Sequence, residues 1–531
     1  MHHPVIIIGA GPGGLTLALK LAQFGIRALV IDKELSRSPF TKALTLQPRT
    51  LEVLDDLGLL DLFVAHGNVI DKTDFFSNGS FVGSIQYGNL PSKCGCLLSI
   101  TQPDSGKILE EAAAAHGIEV LRGVECIDVL IDGSVGCVKV KNTVTGKEET
   151  LKADYIIASD GGRSFVRSLF LKRNALKLTH EFRYDSNFIM GDFEMNDYPF
   201  PRNQRNTYFK NNAIFGLIPM VYPSVRVVAF GLRNEKDPSP KNEEFDQMAR
   251  EMELCLDMSQ GKWLSRFYPS RFMLDRFRIG PLFFVGDAAH IISPIGAQGM
   301  NLSIEDGYNL AWKLGMVLAR GVDSSILDSY QQERMASAKL VLEETDQLHK
   351  KLSSSLRNLL FRLQLKLLKQ PSTSDFVLLK QTQFYIDYPS IQVCKKKKSA
   401  FYSGGRLING KCLRPERTTL FDHLAKDHWT VLINGESAEA VSLDSILKEC
   451  KNQGSASFLF LSSGNRCEHP LPSLTLNPGD PLCERLKHSA PILVISPDKY
   501  VFRSYSIQQW KEEGMKQSNF FSEVLSTSRS V

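Results

Sequence analysis

Two glycine-rich stretches carry the residues whose types and spacing could do chemistry. In FFVGDAAHIISPIGAQGMN, residues 283–301, Asp287 and His290 stand three positions apart, ahead of Pro294 and a glycine turn. The pair could serve as acid and base. Alternatively, an ionised Asp287 only accepts hydrogen bonds, which suits sugar hydroxyls or a helix cap, and His290 is then a packed structural residue or a proton relay. In PVIIIGAGPGGLTLALKLAQFGIRALVIDKE, Gly9, Gly11 and Gly14 satisfy G-x-G-x-x-G, and Asp32 follows about twenty residues on. Gly9 permits a tight turn, Gly11 lets the backbone approach a pyrophosphate, and Gly14 lets helix and strand pack closely. An acid at position 32 can bind both hydroxyls of an adenosine ribose, so FAD or NAD fits and a 2′-phosphate does not.

These residues need elements to hold them. The β-branched run Val5–Ile8 reads as a buried parallel strand. Leu15, Ala18, Leu19 and Ala22 recur at helical spacing, Gly25 is placed to end that helix, and a second strand over Ala28–Ile31 closes on Asp32. A further strand, Tyr155–Ala158, ends in Asp160, Gly161 and Gly162, with Arg163 and Arg167 beyond as phosphate contacts or surface ion-pair partners. Arg49 lies on an amphipathic helix starting near Pro48, and Gln102 precedes another. The turn Gly296–Gly299 feeds a helix through Met300 and Asn301, so its N–H groups and the helix dipole are aimed at an anion. Between Arg183 and Arg278 the pattern changes to short β runs. Tyr208, Phe215, Met220 and Tyr222 are candidate pocket residues there, although alternation sends half of any run to the opposite face.

Composition bounds the function class. The chain has 531 residues, 43% hydrophobic and 23% charged, enough for about three globular units. A net charge of +5 on 63 basic and 58 acidic residues is too mild to argue for nucleic acid or membrane partners. The one dense basic run, Lys395–Lys398, reads as a solvated linker. Ten scattered cysteines without C-x-x-C favour free thiols in a reducing compartment and no metal site, and no secretory leader or apolar span is visible, so a cytoplasmic location is expected. There is no second G-x-G-x-x-G for a resident nicotinamide and no C-x-x-x-x-C for a flavin-linked disulfide.

The N-terminal fingerprint, the central DGGR and the late GDAAH occur in an order that resembles the FAD-dependent aromatic hydroxylases of the para-hydroxybenzoate, phenol and polyketide hydroxylase type. PRTLE, QGMN and NLAWKL are further shared words, and the resemblance covers Val5 to Arg334. It implies an α/β fold: a Rossmann-like FAD-binding domain (1–75, 96–180 and 280–370) with an inserted β-sheet substrate domain (76–95 and 181–279). A linker over 371–400 and a C-terminal domain over 401–531 follow. YSGGRLIN and SPDKYVFR resemble the thioredoxin-like domain of the phenol hydroxylase branch. GESAEA stands where a redox cysteine pair would follow TVLIN, which favours a packing or homodimerisation role.

The resemblance also implies the reaction: NAD(P)H reduces FAD, oxygen adds to give a C4a-hydroperoxide, and an aromatic or polycyclic small molecule is hydroxylated. A flavin epoxidase, an NAD(P)H oxidase, or a flavin-binding interaction protein without turnover are the alternatives. The cofactor set is Gly9, Gly11, Gly13, Gly14, Asp32, Lys33, Lys42, Arg49, Gln102, Asp160, Asp287, Gly299, Met300 and Asn301, with Pro294, Ala297 and Gly299 as candidates beside the reacting ring. Lys42 replaces a common arginine, Pro281 a common Gly-Arg pair, and Ala297 a common glycine.

Overall fold

The computed structural model describes most of residues 2–509. The longest stretches outside the description are 231–238, 354–369, 389–405, 435–455, 464–472 and 510–531, and Lys42 and Ile295 are among the shorter ones.

The strand β1 (His2–Ile8) lies inside an eight-stranded sheet, parallel to β2 (Leu29–Asp32) on one side and to Glu148–Ala158 on the other. Val120–Arg122 extends the sheet beyond β2, and Leu282–Phe284 beyond Glu148–Ala158, both in parallel. Val5, Ile6 and Ile7 are fully buried, as a parallel strand covered on both faces requires. Ile8 stands opposite Ile31 and Ala158, and Ala158 opposite Phe284. The strands therefore end at one level, and the residues that follow them share the carboxyl edge where α/β sheets bind ligands.

The helix α1 (Pro12–Gln23) starts on Pro12, whose missing N–H costs nothing at a first turn, and is followed by Gly25 at φ +76°. It packs on the long helix Gly299–Arg320 at backbone distance. A Cβ on Gly307 would lie 2.2 Å from the Gly13 carbonyl oxygen, and one on Gly13 would lie 2.4 Å from Ser303 Oγ. Small residues therefore fix how the early and late motifs meet.

A seven-stranded sheet covers the cavity, in the order 261–267, 188–194, 224–230, 213–219, 204–210, 72–77 and 80–86. Its strand Lys72–Ser77 begins inside the stretch assigned to the FAD unit. One face packs Ile189, Phe193, Tyr208, Phe215, Leu217 and Val227 on Phe245 and Met248 of the helix Asn242–Glu251. The other face looks into the cavity.

The linker expected over 371–400 begins instead with a helix, Pro371–Gln381, which buries Leu378 in the sheet's aromatic cluster and donates Ser374 Oγ to the Ser84 carbonyl oxygen at 3.1 Å. The Lys395–Lys398 run lies outside the described residues. Among its described residues the C-terminal unit has six strands, ordered 412–414, 473–476, 456–463, 429–434, 492–495 and 501–505. Its three inner strands from 473 to 434 run parallel, and the last two form an antiparallel hairpin. The GESAEA segment, residues 435–440, lies outside the described residues.

Candidate active site

The early turn has the shape its glycines were expected to give. Gly9 sits at φ +106°, and a Cβ there would meet the Ser159 carbonyl oxygen at 2.3 Å. Gly14 would place one 2.4 Å from the Gly9 carbonyl oxygen, whereas Gly11 has nothing within 4 Å and opens on the cavity. No side-chain cap and no acid occupies the start of α1, so its first N–H groups remain available to phosphate. Asp32 closes the crevice: Oδ2 accepts from the Ala10 amide at 2.8 Å and Oδ1 from the Glu34 amide at 2.9 Å. Each oxygen keeps capacity for a ribose hydroxyl. Lys33 points to solvent, and Lys42 lies outside the described residues.

The late motif enters from the opposite side. Gly286, at φ +61°, turns the chain against Ser303, and Asp287 is the exposed residue in an otherwise buried run from Leu282 to His290. It is exposed because it lines the cavity. Its carbonyl oxygen is held at 2.9 Å by Arg167, which also donates to the Ala288 carbonyl oxygen at 3.2 Å. Arg167 is therefore a brace for this loop, not a surface ion-pair residue. His290 is structural: its Nε2 lies 2.7 Å from Asp306, whose other oxygen takes Arg334 Nε at 2.6 Å. Burial opposes ionisation of Asp306, but Arg334 and His290 outweigh it and hold its carboxyl below the usual range.

Pro294, Gly296, Ala297, Gln298, Gly299 and Met300 all line the cavity. Gly296 and Ala297 both adopt positive φ, +89° and +56°, to reverse the chain into the helix. That helix also has no capping side chain and no acid in its first turn. Asn301 does not face the cavity. Its Oδ1 accepts from the Gln47 amide at 2.8 Å and Thr50 Oγ1 at 2.7 Å, and its Nδ2 donates to the Thr45 and Ala297 carbonyl oxygens. It ties the turn to the segment before Pro48.

Gln102 lines the cavity and accepts from the Ala43 amide at 3.4 Å. Asp160 stands behind the cavity wall formed by Gly161 and Gly162; its carboxylate accepts from the Val166 amide at 3.1 Å, and burial pushes its carboxyl up. Arg49 is directed away: it donates to the Asp498 carbonyl oxygen at 3.0 Å and approaches Glu52 at 3.5 Å. The helix Pro48–Asp56 is buried on nearly every side, so its arginine serves the C-terminal unit and not the cavity.

These elements surround one cavity of about 980 Å³, which continues from Gly11–Gly13 and Asp287 to the seven-stranded sheet. That volume lies at the upper end for ligand pockets. The sheet contributes alternate residues: Phe188 and Met190, Arg205, Thr207 and Phe209, Ile214, Gly216 and Ile218, Arg226, Val228 and Phe230. Tyr208 and Phe215 lie on the opposite face, Met220 packs with Leu44, and Tyr222 is exposed. None of the four pocket candidates lines the cavity, because the period of two fixes faces only after register is known. The helix Pro371–Gln381 supplies Thr373, Val377 and Lys380, which no motif marked.

A family model described as an FAD binding domain matches residues 2–345. The chain belongs to the FAD-dependent aromatic hydroxylases. This flavoprotein monooxygenase is 30% identical over 352 residues to rifampicin monooxygenase of Rhodococcus hoagii, covering 64% of this chain and 70% of that one. It is 32% identical over 360 residues to anhydrotetracycline monooxygenase of Streptomyces rimosus, covering 65% and 69%. Two solved structures share the fold over 99% of each chain: the flavin-dependent monooxygenase PieE with FAD and substrate (TM-score 0.78, 18% identity) and aklavinone-11 hydroxylase with FAD and aklavinone (0.72, 20%). The glycine cradle, the open helix starts and cavity-facing Asp287 fit the FAD that this family binds.

Proposed function

We propose that this monooxygenase hydroxylates a polycyclic aromatic small molecule at the expense of NAD(P)H and oxygen. One observation carries the reading: the flavin cradle and the apolar sheet face are parts of a single cavity. Bound FAD supplies the redox chemistry, hydride acceptance from NAD(P)H and oxygen activation, by the route expected from the sequence. Gly11 and the start of α1 hold the pyrophosphate, Asp32 the ribose, and Asp287 the ribityl hydroxyls. The Gly299 and Met300 amides steady negative charge on the reduced ring, because oriented donors need no reorganisation as charge develops. Phe209, Phe230 and Val377, which line the same cavity, would exclude water from it. The breadth of the cavity and the relatives named for rifampicin and anhydrotetracycline favour a substrate of several fused rings.

Protein purified with FAD should be yellow and should oxidise NADPH or NADH faster when a hydroxyanthraquinone or tetracycline-type ligand is added, with one oxygen gained by the ligand. Stimulated oxidation that yields peroxide and no oxygenated product would support an oxidase instead. Flavin that no nicotinamide donor reduces would sink the enzymatic reading. Lys33 and Lys42 are further contacts to the cofactor in this reading. The parallel strands with a terminal hairpin support a thioredoxin-like C-terminal domain with a packing or dimer role. A cytoplasmic setting is proposed from the free thiols Cys96, Cys126, Cys137 and Cys255 among the described residues.

A further inference from the structure

The turn Gly296–Gly299 has one long polar side chain, Gln298, and its amide is met from behind by a segment that no motif marked. Gln383 follows the helix Pro371–Gln381, adopts φ +64° and is buried. Its amide lies between two groups. One edge bonds the Gln298 amide, and the other meets the Glu305 carboxyl, 3.0 Å from Oε2. Gln298 lines the cavity, and its Nε2 lies 3.9 Å from where a Cβ on Gly296 would be. Glu305 stands in the second turn of the helix Gly299–Arg320 and is buried. Three side chains therefore join a buried acid to the cavity wall.

An amide between these partners has two arrangements. A protonated Glu305 donates to Gln383 Oε1, Gln383 Nε2 donates to Gln298 Oε1, and Gln298 turns its own Nε2, a donor, toward Gly296. An ionised Glu305 accepts from Gln383 Nε2, Gln383 Oε1 accepts from Gln298 Nε2, and the acceptor edge of Gln298 takes the place beside the turn. One proton thus reverses both amides.

The acid has no cation to itself. Arg334 stands 3.5 Å away, but it is committed to Asp306 at 2.6 Å. Arg49, from the helix Pro48–Asp56, donates to the Asp498 carbonyl oxygen, and Arg406, from the C-terminal unit, is bonded to Glu52. Asp306 on its own helix and Tyr500 of the C-terminal hairpin also face it. Burial outweighs the arginines and pushes the Glu305 carboxyl up.

We propose that Glu305 and Gln383 are positioning residues for the flavin turn: a proton on the buried acid sets, through the Gln383 amide, whether Gln298 offers the turn a donor or an acceptor. The protonated state favours negative charge on the ring, and the ionised state, with its charge behind the turn, opposes it. The inference rests on the proposed seat of the flavin ring at this turn and adds the group that regulates it.

The test follows the absorbance of the FAD-loaded full chain from about pH 5 to about pH 9, above the range in which carboxylates ordinarily titrate. The native spectrum should shift along a one-proton curve. Glu305→Gln, whose amide donates as the protonated acid does, should hold the low-pH spectrum throughout. Gln383→Met, of similar volume without the amide, should lose most of the shift. Infrared difference spectra between the two pH limits should contain a protonated-carboxyl band that Glu305→Gln lacks and Gln383→Met displaces, a signature independent of turnover. A native spectrum that is flat with pH, a shift that survives in Glu305→Gln, or a band unmoved by Gln383→Met overturns the proposal. Gln298→Leu separates the two levels. If it leaves the flavin spectrum native at every pH, the ring is not seated at this turn and both readings fall; if it alters the spectrum while the native pH dependence is flat, only the relay falls.

Discussion

Ala297 shows how one methyl bears on this site. Its φ of +56° is a conformation that costs an L-residue roughly 1–2 kcal/mol relative to glycine. Ala297→Gly should therefore raise the melting temperature of the FAD-loaded protein, by a net gain of up to about 1 kcal/mol after glycine's larger unfolded-state entropy is subtracted. A lower melting temperature would show that contacts of the methyl outweigh the backbone strain. Comparing peroxide release in the two proteins then reports whether that strain affects coupling. Asp287 makes the second prediction at this scale. Asp287→Ala removes the cavity-facing acceptor without touching the backbone carbonyl that Arg167 holds, so FAD retention on gel filtration should fall about tenfold or more while the fold survives. Undiminished retention would remove the assigned role.

Among the elements, the crossing of α1 with the helix Gly299–Arg320 decides whether the two glycine turns face one cavity. Because a Cβ on Gly307 would meet the Gly13 carbonyl oxygen at 2.2 Å, Gly307→Val must push the helices apart. The variant should lose about 2 kcal/mol or more of stability and release FAD readily. Unchanged thermal unfolding and flavin content would show that the crossing tolerates the shift. Much of this level was legible in the chain. The β-branched run before Gly9 and the helical spacing after it point to the strand, turn and helix that the fold contains. The sheet above was less legible: Tyr208 and Phe209 are neighbours with similar chemistry, and only register put Phe209 over the cavity and Tyr208 in the core. The helix Pro371–Gln381 was not legible as one, since Pro371 reads as a break ahead of a polar segment, and its role comes from packing on the sheet.

At the scale of the molecule, the C-terminal unit is fastened by buried charge. Lys20 on α1 bonds Asp56 and the Lys426 carbonyl oxygen, both at 2.7 Å, and Lys499 reaches Asp56 at 3.4 Å. Asn309 and Arg49 hold Asp498 at 3.0 Å, and Trp312 meets Trp429 edge to face with centroids 5.5 Å apart. Burial, aided by Lys499 and opposed by Asp56, pushes the Lys20 ammonium down to about 8. Burial also opposes ionisation of Asp56, yet Lys20 and Lys499 outweigh it and keep its carboxyl well below the carboxylate range. A depressed carboxyl gives stability that is complete above its unfolded pKa, about 4, and is lost as the pH falls toward the folded value. Docking of the C-terminal unit should therefore weaken on acidification below about pH 4, read by limited proteolysis. Asp56→Asn strands two buried lysines, so it should cost about 3–5 kcal/mol at neutral pH and abolish that part of the acid dependence. A melting temperature equal to the native one would show that the network does not hold the unit.

The sequence by itself determined the chemical character of the cradle: backbone freedom at Gly9, Gly11 and Gly14 and acceptor capacity at Asp32 and Asp287 are local properties. What only the tertiary structure decided was direction. Arg49 turned to the C-terminal hairpin, Asn301 to the backbone of its own turn, and His290 to Asp306. A residue's chemistry is carried by its own atoms, whereas its partner is chosen by register and packing, whether within one turn, as for Asn301, or between distant segments, as for Arg49 and Asp498.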